Sequence, residues 1–153
     1  LKRFDLFSCK ISNDGCRTIS RLSSLEHLEI CGGGVSAAGC QSLSLLQRLK
    51  VLNLSQNDRI TNRGAGYLAM LTNLKSLNLS NTSVTSSMLR HLVGLKNLRT
   101  LTCYGCKPMI GPRMEWFKIR LPQLRCLRVD SVPPEEGTVL EIPGMHDYNL
   151  SWD

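Results

Sequence analysis

The feature that most constrains what this chain can fold into is a short apolar motif, L-x-x-L-x-L, that recurs along most of its length. Its first position recurs every 24 to 26 residues, at Leu1, Leu25, Leu49, Leu74, Leu98 and Leu124. The position three residues later holds Phe4, Leu28, Leu52, Leu77, Leu101 and Leu127. The position two residues further on holds Leu6, Ile30, Leu54, Leu79, Cys103 and Val129. Self-similarity at such a period predicts a stack of repeated units, here six of them.

Each unit is predicted to form a short strand followed by a helical return. The motif alternates as a half-buried strand does, whereas Leu89, Leu92 and Leu95 have the spacing of a helix. A hydroxyl side chain stands where each of four helices should begin, at Ser12, Ser36, Thr61 and Thr85. One unit cannot bury its own leucine face, but stacked units pair their strands in parallel and close a continuous core. We therefore predict an α/β solenoid, a curved arc with parallel strands on its concave face and helical or 3-10 returns on its convex face.

The residues around the helix starts add a family resemblance. The stretches that carry it are Ile60-Thr-Asn-Arg-Gly, Val84-Thr-Ser-Ser-Met-Leu and Leu74-Lys-Ser-Leu-Asn-Leu-Ser-Asn-Thr. They resemble the leucine-rich repeat (LRR) family, in particular the plant and bacterial subclass whose helices open with V/I-T-x-x-G-L. That subclass is related to the cysteine-containing repeats of F-box substrate receptors. The resemblance covers residues 1–132 and implies a horseshoe fold, but the family binds many different partners.

The chain divides into a basic body and an acidic end. Residues 1–132 are predicted to hold about six repeats, and residues 133–153 an acidic C-terminal cap or tail. All 19 lysines and arginines lie before residue 130 together with six acids, whereas residues 130–153 hold six acids and no base. The pattern is at full strength at Leu1 and no initiator Met precedes it. We therefore expect the chain to be part of a longer protein or, as it stands, a monomer.

The seven cysteines follow the repeat rather than a disulfide framework. Cys103-Tyr-Gly-Cys106 is a C-x-x-C motif of the kind used in redox and zinc chemistry. The repeat offers a structural reading instead, because Cys103 takes a core leucine position and Cys106 the turn position of Thr82. Cys16 and Cys40, 24 residues apart, are predicted to be core thiols. Cys31 and Cys126 fall at strand positions that point to the concave face, which makes them the candidate exposed thiols.

No sequence motif indicates catalysis, a metal or a cofactor. His27 lies beside Glu29, but no serine or cysteine nucleophile completes a triad with them. The run Gly32–Gly34 lacks the lysine and the helix that a phosphate-binding loop needs. A zinc site would need more ligands near Cys103 and Cys106 than the sequence offers. We predict that the chain is not an enzyme and requires no cofactor.

The concave face is the predicted binding surface. Alternate side chains of a strand point to opposite faces, so the residues between the leucines point away from the core. Phe7, Tyr104 and Arg128 are the expected anchors, because aromatic and arginine side chains carry most interface energy. The full set of predicted partner-binding residues is Phe7, His27, Glu29, Asn53, Asn78, Tyr104 and Arg128.

A row of bases occupies the second position of the repeats. It consists of Lys2, Lys50, Lys75, Arg99 and Arg125, interrupted by Glu26. Such a ladder could attract a nucleic acid or an acidic protein. Bases at this position are routine in the LRR family, where they keep the sheet edge soluble. Because no basic tract is interleaved with aromatics, nucleic acid is not the expected partner.

We predict a non-catalytic scaffold that binds a protein partner through the concave face. One alternative is the substrate-recognition fragment of an F-box ubiquitin-ligase adaptor, and another is a fragment of an LRR receptor ectodomain. Cysteine spacing favours a reducing compartment, so a cytoplasmic or nuclear location is expected. Glycosylation of the N-x-S sequons would instead make the protein extracellular, and these lie at Asn53, Asn78, Asn81 and Asn149. No apolar run is long enough to cross a membrane.

Overall fold

The strands of the repeats form one parallel sheet. The computed structural model describes residues 1–107, 117, 119–121 and 123–130. Within these residues, six strands lie side by side in chain order. They are β1 (Arg3–Asp5), β2 (His27–Glu29), β3 (Val51–Asn53), β4 (Ser76–Asn78), β5 (Thr100–Cys103) and β6 (Cys126–Val129). The second leucine column runs in register across the sheet, from Phe4 through Leu28, Leu52, Leu77 and Leu101 to Leu127. The predicted α/β repeat solenoid is confirmed.

Helical returns connect the strands on the other side of the core. They are α1 (Asn13–Ile19), α2 (Ala37–Leu43), α3 (Asn62–Leu68), and a 3-10 turn (Ser86–Met88) that continues into α4 (Leu89–Leu92). The residues predicted to begin the returns do occupy the N-cap positions with extended backbone: Ser12, Ser36, Thr61 and Thr85. Of these four, Thr85 alone caps with its side chain, accepting from Ser87 N at 3.3 Å.

Asparagines at the start of α1 and α3 cap the following return instead. Asn13 Oδ1 accepts hydrogen bonds from Ser36 N and from Gly39 N, both at 2.9 Å. Asn62 Oδ1 likewise accepts from Thr85 N at 2.9 Å. Backbone amides at a helix start have no partner within their own helix. Here the preceding repeat supplies that partner, which ties the repeats together in pairs.

The leucine columns close a continuous core between the sheet and the helices. Every motif residue from Leu25 to Cys103 is at most 1% exposed. Cys16 and Cys40 are fully buried among the helices, in agreement with the prediction of core thiols. A fully buried leucine side chain stabilises a fold by roughly 1.5–3 kcal/mol relative to an exposed one. Stability is therefore spread over all repeats rather than concentrated in one cluster.

One buried side chain ties the turns at the ends of the strands together. Asn57 is 0% exposed. Its Nδ2 donates to Ile30 O at 2.8 Å and to Leu54 O at 3.0 Å. Its Oδ1 accepts from Val35 N at 3.1 Å. The position is predicted to turn the chain out of its strand, and the structure shows that Asn57 does so by pairing backbone groups of two repeats.

The residue that precedes Asn57 has a left-handed backbone conformation, as do its equivalents in the other four of the first five repeats. The φ angles are 61° at Ser8, 72° at Gly32, 61° at Gln56, 54° at Asn81 and 64° at Gly105. These residues occupy the same position in each repeat, so the left-handed conformation is a property of the repeat itself. Glycine adopts this conformation at no steric cost, whereas other L-residues are strained there by roughly 1–2 kcal/mol.

We therefore expect Gln56→Gly to stabilise the fold. Removal of the strain at a φ of 61° should outweigh the extra flexibility of glycine in the unfolded chain. The net gain should be about 0.5–1 kcal/mol in urea unfolding followed by circular dichroism. The control is Gln47→Gly, an exposed glutamine outside the positive-φ positions, which should lower stability. A loss of stability in Gln56→Gly would contradict the prediction.

The prediction that the two thiols of the concave face are exposed is wrong. Cys31 and Cys126 are not exposed, because they are 2% and 5% accessible. Cys31 follows β2, which lies between β1 and β3, and Ser55 Oγ donates to Cys31 Sγ at 3.4 Å. The predicted cap over residues 133–153 lies outside the described residues and stays a prediction. Among the helices of the described residues, none is long and apolar enough to cross a membrane.

Candidate binding surface

The seven predicted binding residues are spread along the sheet rather than gathered in one pocket. Phe7 follows β1, whereas Tyr104 follows β5 and Arg128 lies in β6. Because neighbouring strands are about 4.8 Å apart, β1 and β5 are separated by about 19 Å. We call the first group, Phe7 with His27 and Glu29, the N-terminal patch. The second group, Tyr104 with Arg128, is the C-terminal patch.

The N-terminal patch contains an exposed phenylalanine and a partnered carboxylate. Phe7 is 62% exposed, although a phenylalanine usually prefers burial. Glu29 Oε1 is 3.7 Å from the Arg3 guanidinium, and Glu29 Oε2 is 3.4 Å from Asn53 Nδ2. His27, two residues before Glu29 in β2, is half-buried. Arg3 is therefore a member of the patch that the sequence-based prediction did not include. It occupies the same repeat position as His27, which indicates that both residues point to the same face.

The acidic and amide side chains at the fifth position within the repeats have a local structural role. Asp5 Oδ1 accepts from Phe7 N at 3.0 Å. Asn53 Oδ1 accepts from Ser55 N at 3.1 Å, and Asn78 Oδ1 from Ser80 N at 3.0 Å. Short acceptor side chains commonly close a turn by bonding the backbone two residues on. This role accounts for Asn53 and Asn78 without a partner, so their contribution to binding stays a prediction.

In the C-terminal patch, side chains from flanking strands hold the turn that carries Tyr104. Tyr104 N donates to Ser80 Oγ at 3.1 Å, and Gly105 N donates to Asp130 Oδ2 at 2.6 Å. Arg128 pairs in register with Thr102, two residues before Tyr104. Tyr104, just after β5, and Arg128, in β6, therefore belong to neighbouring repeats, and hydrogen bonds hold the backbone that carries Tyr104. Asp130 was not among the predicted residues, although it occupies the same repeat position as Tyr104.

The basic ladder is partly neutralised at its N-terminal end. Glu26 Oε1 is 3.5 Å from Lys2 Nζ, and Glu26 Oε2 is 2.5 Å from Lys50 Nζ. The hydrogen bond from Lys50 is the main reason that the pKa of Glu26 is lowered. The acid that interrupts the row therefore bridges its neighbours. The following bases Lys75, Arg99 and Arg125 are exposed.

The C-x-x-C thiols lie beside the C-terminal patch in contrasting environments. Cys103 is 1% exposed and belongs to the core, as predicted, whereas Cys106 is half-buried at its margin. Hydrogen bonding between the two thiols is the first cause of both shifts, raising the pKa of Cys103 well above 9 and lowering that of Cys106 to about 6. Among the described residues no group of three or more His, Cys, Asp or Glu side chains could hold a metal ion.

Alkylation of Cys106 should therefore be fast in mildly acidic solution. The thiolate is the nucleophile, so the rate with iodoacetamide should rise with pH around a midpoint of about 6 and be level above pH 7.5. The rate would be measured by peptide mass spectrometry in a Cys9→Ser background. Replacement of the hydrogen-bonding partner, Cys103→Ala, should move the midpoint upward. A midpoint above 8 in the parent would contradict the assignment.

Comparison with known proteins agrees with this architecture. Residues 1–20 and 47–69 match a family model described as leucine-rich repeat. A search of curated proteins gives no match. A solved structure titled "Leiomodin-1 Actin-Binding Site 2 (ABS2)" is similar, with a TM-score of 0.51 and 14% identity over 84% of this chain and 68% of that one. Such low identity speaks for the fold alone. Together with the six in-register strands and their helical returns, these matches support an α/β repeat solenoid in which residues 1–20 and 47–69 are similar to leucine-rich repeats.

Proposed function

We propose that this chain is a non-catalytic scaffold that binds a protein partner across the concave face. The observation that carries the proposal is the 62% exposure of Phe7, a large apolar residue, whereas the motif residues from Leu25 to Cys103 are at most 1% exposed. An aromatic ring left in water at the end of the sheet costs free energy that contact with a partner would recover. The LRR architecture supports the proposal, because stacked repeats present an extended concave surface.

The partner should present a broad convex surface rather than a short peptide end. The two patches are about 19 Å apart, so one partner must span roughly five strands to contact both. An acidic group on the partner would suit Arg128, and an apolar group would suit Phe7. Interfaces of standard size bury about 800 Å² on each side, which is compatible with a contact of this length.

A finer assignment concerns the subclass of the repeats. We infer kinship with the plant and bacterial repeats that resemble those of F-box receptors. Glycine recurs at the same place early in three successive helices, at Gly15, Gly39 and Gly64. In α2 the amide of Gly39 donates to Asn13 of the preceding repeat. A Cβ at Gly39 would come within 2.7 Å of Asn13 Oδ1, so this close approach needs glycine, which supports the assignment.

Single substitutions on the concave face should weaken capture of the partner. Phe7→Ala, Tyr104→Ala and Arg128→Ala should each raise the Kd by about tenfold, as expected of anchor residues that contribute over 1 kcal/mol. The measurement is quantitative pull-down from the native source, followed by titration with the partner identified.

Matched controls lie on the other side of the molecule. Leu45→Ala removes an apolar side chain that is 65% exposed after α2, and Arg63→Ala removes an exposed base of α3. Both should leave the Kd within twofold of the parent value. Equal effects of the concave and control substitutions would rule out the concave face as the binding surface.

A further inference from the structure

We propose that Cys103 and Cys106 form a redox-active dithiol that closes to an intramolecular disulfide on reaction with a small disulfide such as oxidised glutathione. The two cysteines flank Tyr104 of the C-terminal patch, but this proposal does not rest on the proposed binding function. The repeat register explains why two cysteines fit at these positions. It leaves open what two thiols held side by side, one of them accessible, can do chemically.

The backbone between the two residues is suited to a bridge. A turn at Tyr104 and Gly105 separates them, and the left-handed φ of 64° at Gly105 makes that turn tight. Turns of this kind bring the first and fourth Cα atoms within about 7 Å, and disulfides span Cα distances of roughly 4.4–6.8 Å. Both side chains pack on the core side of the turn, with Cys103 in the core cluster and Cys106 against it. Bridging them therefore needs little rearrangement.

Several groups act on the ionisation of the Cys106 thiol. Its Sγ donates to Leu79 O at 3.1 Å and lies 3.7 Å from Thr82 Oγ1. The one hydroxyl proton of Thr82 is donated to Leu79 O at 2.7 Å, so that carbonyl keeps a partner when the thiol ionises only if this hydroxyl does not turn to Sγ. Hydrogen bonds from Cys103 and from Thr82 lower the pKa of Cys106, whereas the Asp130 carboxylate and burial oppose them. Cys106 is thus the attacking thiolate.

The buried Cys103 is placed to resolve the adduct. Cys106 attacks one sulfur of the small disulfide, forming a mixed disulfide and releasing one small thiolate, which takes a proton from water. Cys103 then attacks Cys106 Sγ and expels the second small thiolate, which takes the proton that Cys103 loses. Two protein thiols and one small disulfide become one protein disulfide and two small thiols. Hydrogen bonding to Cys106 is the first cause of the raised Cys103 pKa, and it disappears once Cys106 is in a disulfide.

The chain contains its own comparison thiol. Cys9 occupies the position of Cys106 in the first repeat, but Leu6 stands where Cys103 does. Cys9 is exposed and therefore accessible to the same reagent. A mixed disulfide formed at Cys9 has no neighbouring thiol in its own repeat motif to resolve it. The two turns therefore differ in whether a second thiol is present to resolve the mixed disulfide.

The test is exposure of the reduced chain to oxidised glutathione at pH 7, followed by non-reducing peptide mass spectrometry. We expect the Cys103–Cys106 peptide to lose two hydrogens, while Cys9 carries a glutathionyl group. Cys103→Ala and Cys103→Val should instead trap the glutathionyl group on Cys106, and two replacements guard against misfolding of one. Dithiothreitol should restore both thiols of the parent. A stable glutathionyl adduct on Cys106 of the parent, or no reaction at Cys106, would overturn the proposal.

Discussion

Replacement of Asn57 by alanine is expected to destabilise the fold by about 3 kcal/mol. The side chain is fully buried and bonds Ile30 O, Leu54 O and Val35 N. Alanine leaves these backbone groups without that partner, and a buried unpaired polar group costs roughly 1–3 kcal/mol. Asn57 is 0% exposed, so bulk water does not reach the groups that alanine would leave unpaired. Urea unfolding followed by circular dichroism would measure the loss.

The same substitution at Asn73 is the matched control. Asn73 is exposed, and its Nδ2 donates to Gln47 O at 2.9 Å. Water can replace that bond, so Asn73→Ala should cost under about 1 kcal/mol. If Asn57→Ala and Asn73→Ala lowered the unfolding free energy equally, the buried asparagine would have no special role in joining the repeats.

The second large effect is expected at two helical glycines, where replacement by alanine should change the stability in opposite directions. Alanine at Gly66 should stabilise α3 by about 0.5–1 kcal/mol, because glycine is a poor helix former. A Cβ there would meet the His91 ring at 3.8 Å, an ordinary contact. Alanine at Gly39 in α2 should instead destabilise by about 2 kcal/mol, because overpacking typically costs 1–3 kcal/mol.

The difference lies in what surrounds Gly39. A Cβ at that position would come within 2.7 Å of Asn13 Oδ1 and of Val35 Cγ1. Asn13 Oδ1 is held by hydrogen bonds from Ser36 N and Gly39 N, and Val35 is fully buried. Neither atom can move without loss of bonding or packing. Thermal unfolding of Gly39→Ala and Gly66→Ala should shift Tm in opposite directions, and a rise in both would refute the packing argument.

Sequence reasoning could not distinguish these two glycines, because both stand inside a helical pattern. The same limit appears at the start of the helices. Ser12 and Ser36 were correctly placed at N-caps, but the acceptor for the Ser36 amide is Asn13 of the preceding repeat. Residues that are distant in the chain by one period are neighbours in space, and propensity rules consider one helix at a time. The exposure of Cys31 was misjudged for a related reason, since neighbouring strands cover its small side chain.

The L-x-x-L-x-L columns by themselves determined the repeat count in the described sheet, the parallel strand register and the buried face. The motif determines these features because apolar residues that recur at a constant period become buried when each unit stacks on the next. Tertiary structure alone decided which polar groups bridge repeats, that Phe7 stays exposed and that Cys31 is covered. Those properties depend on distances between units, which the period of a sequence does not contain.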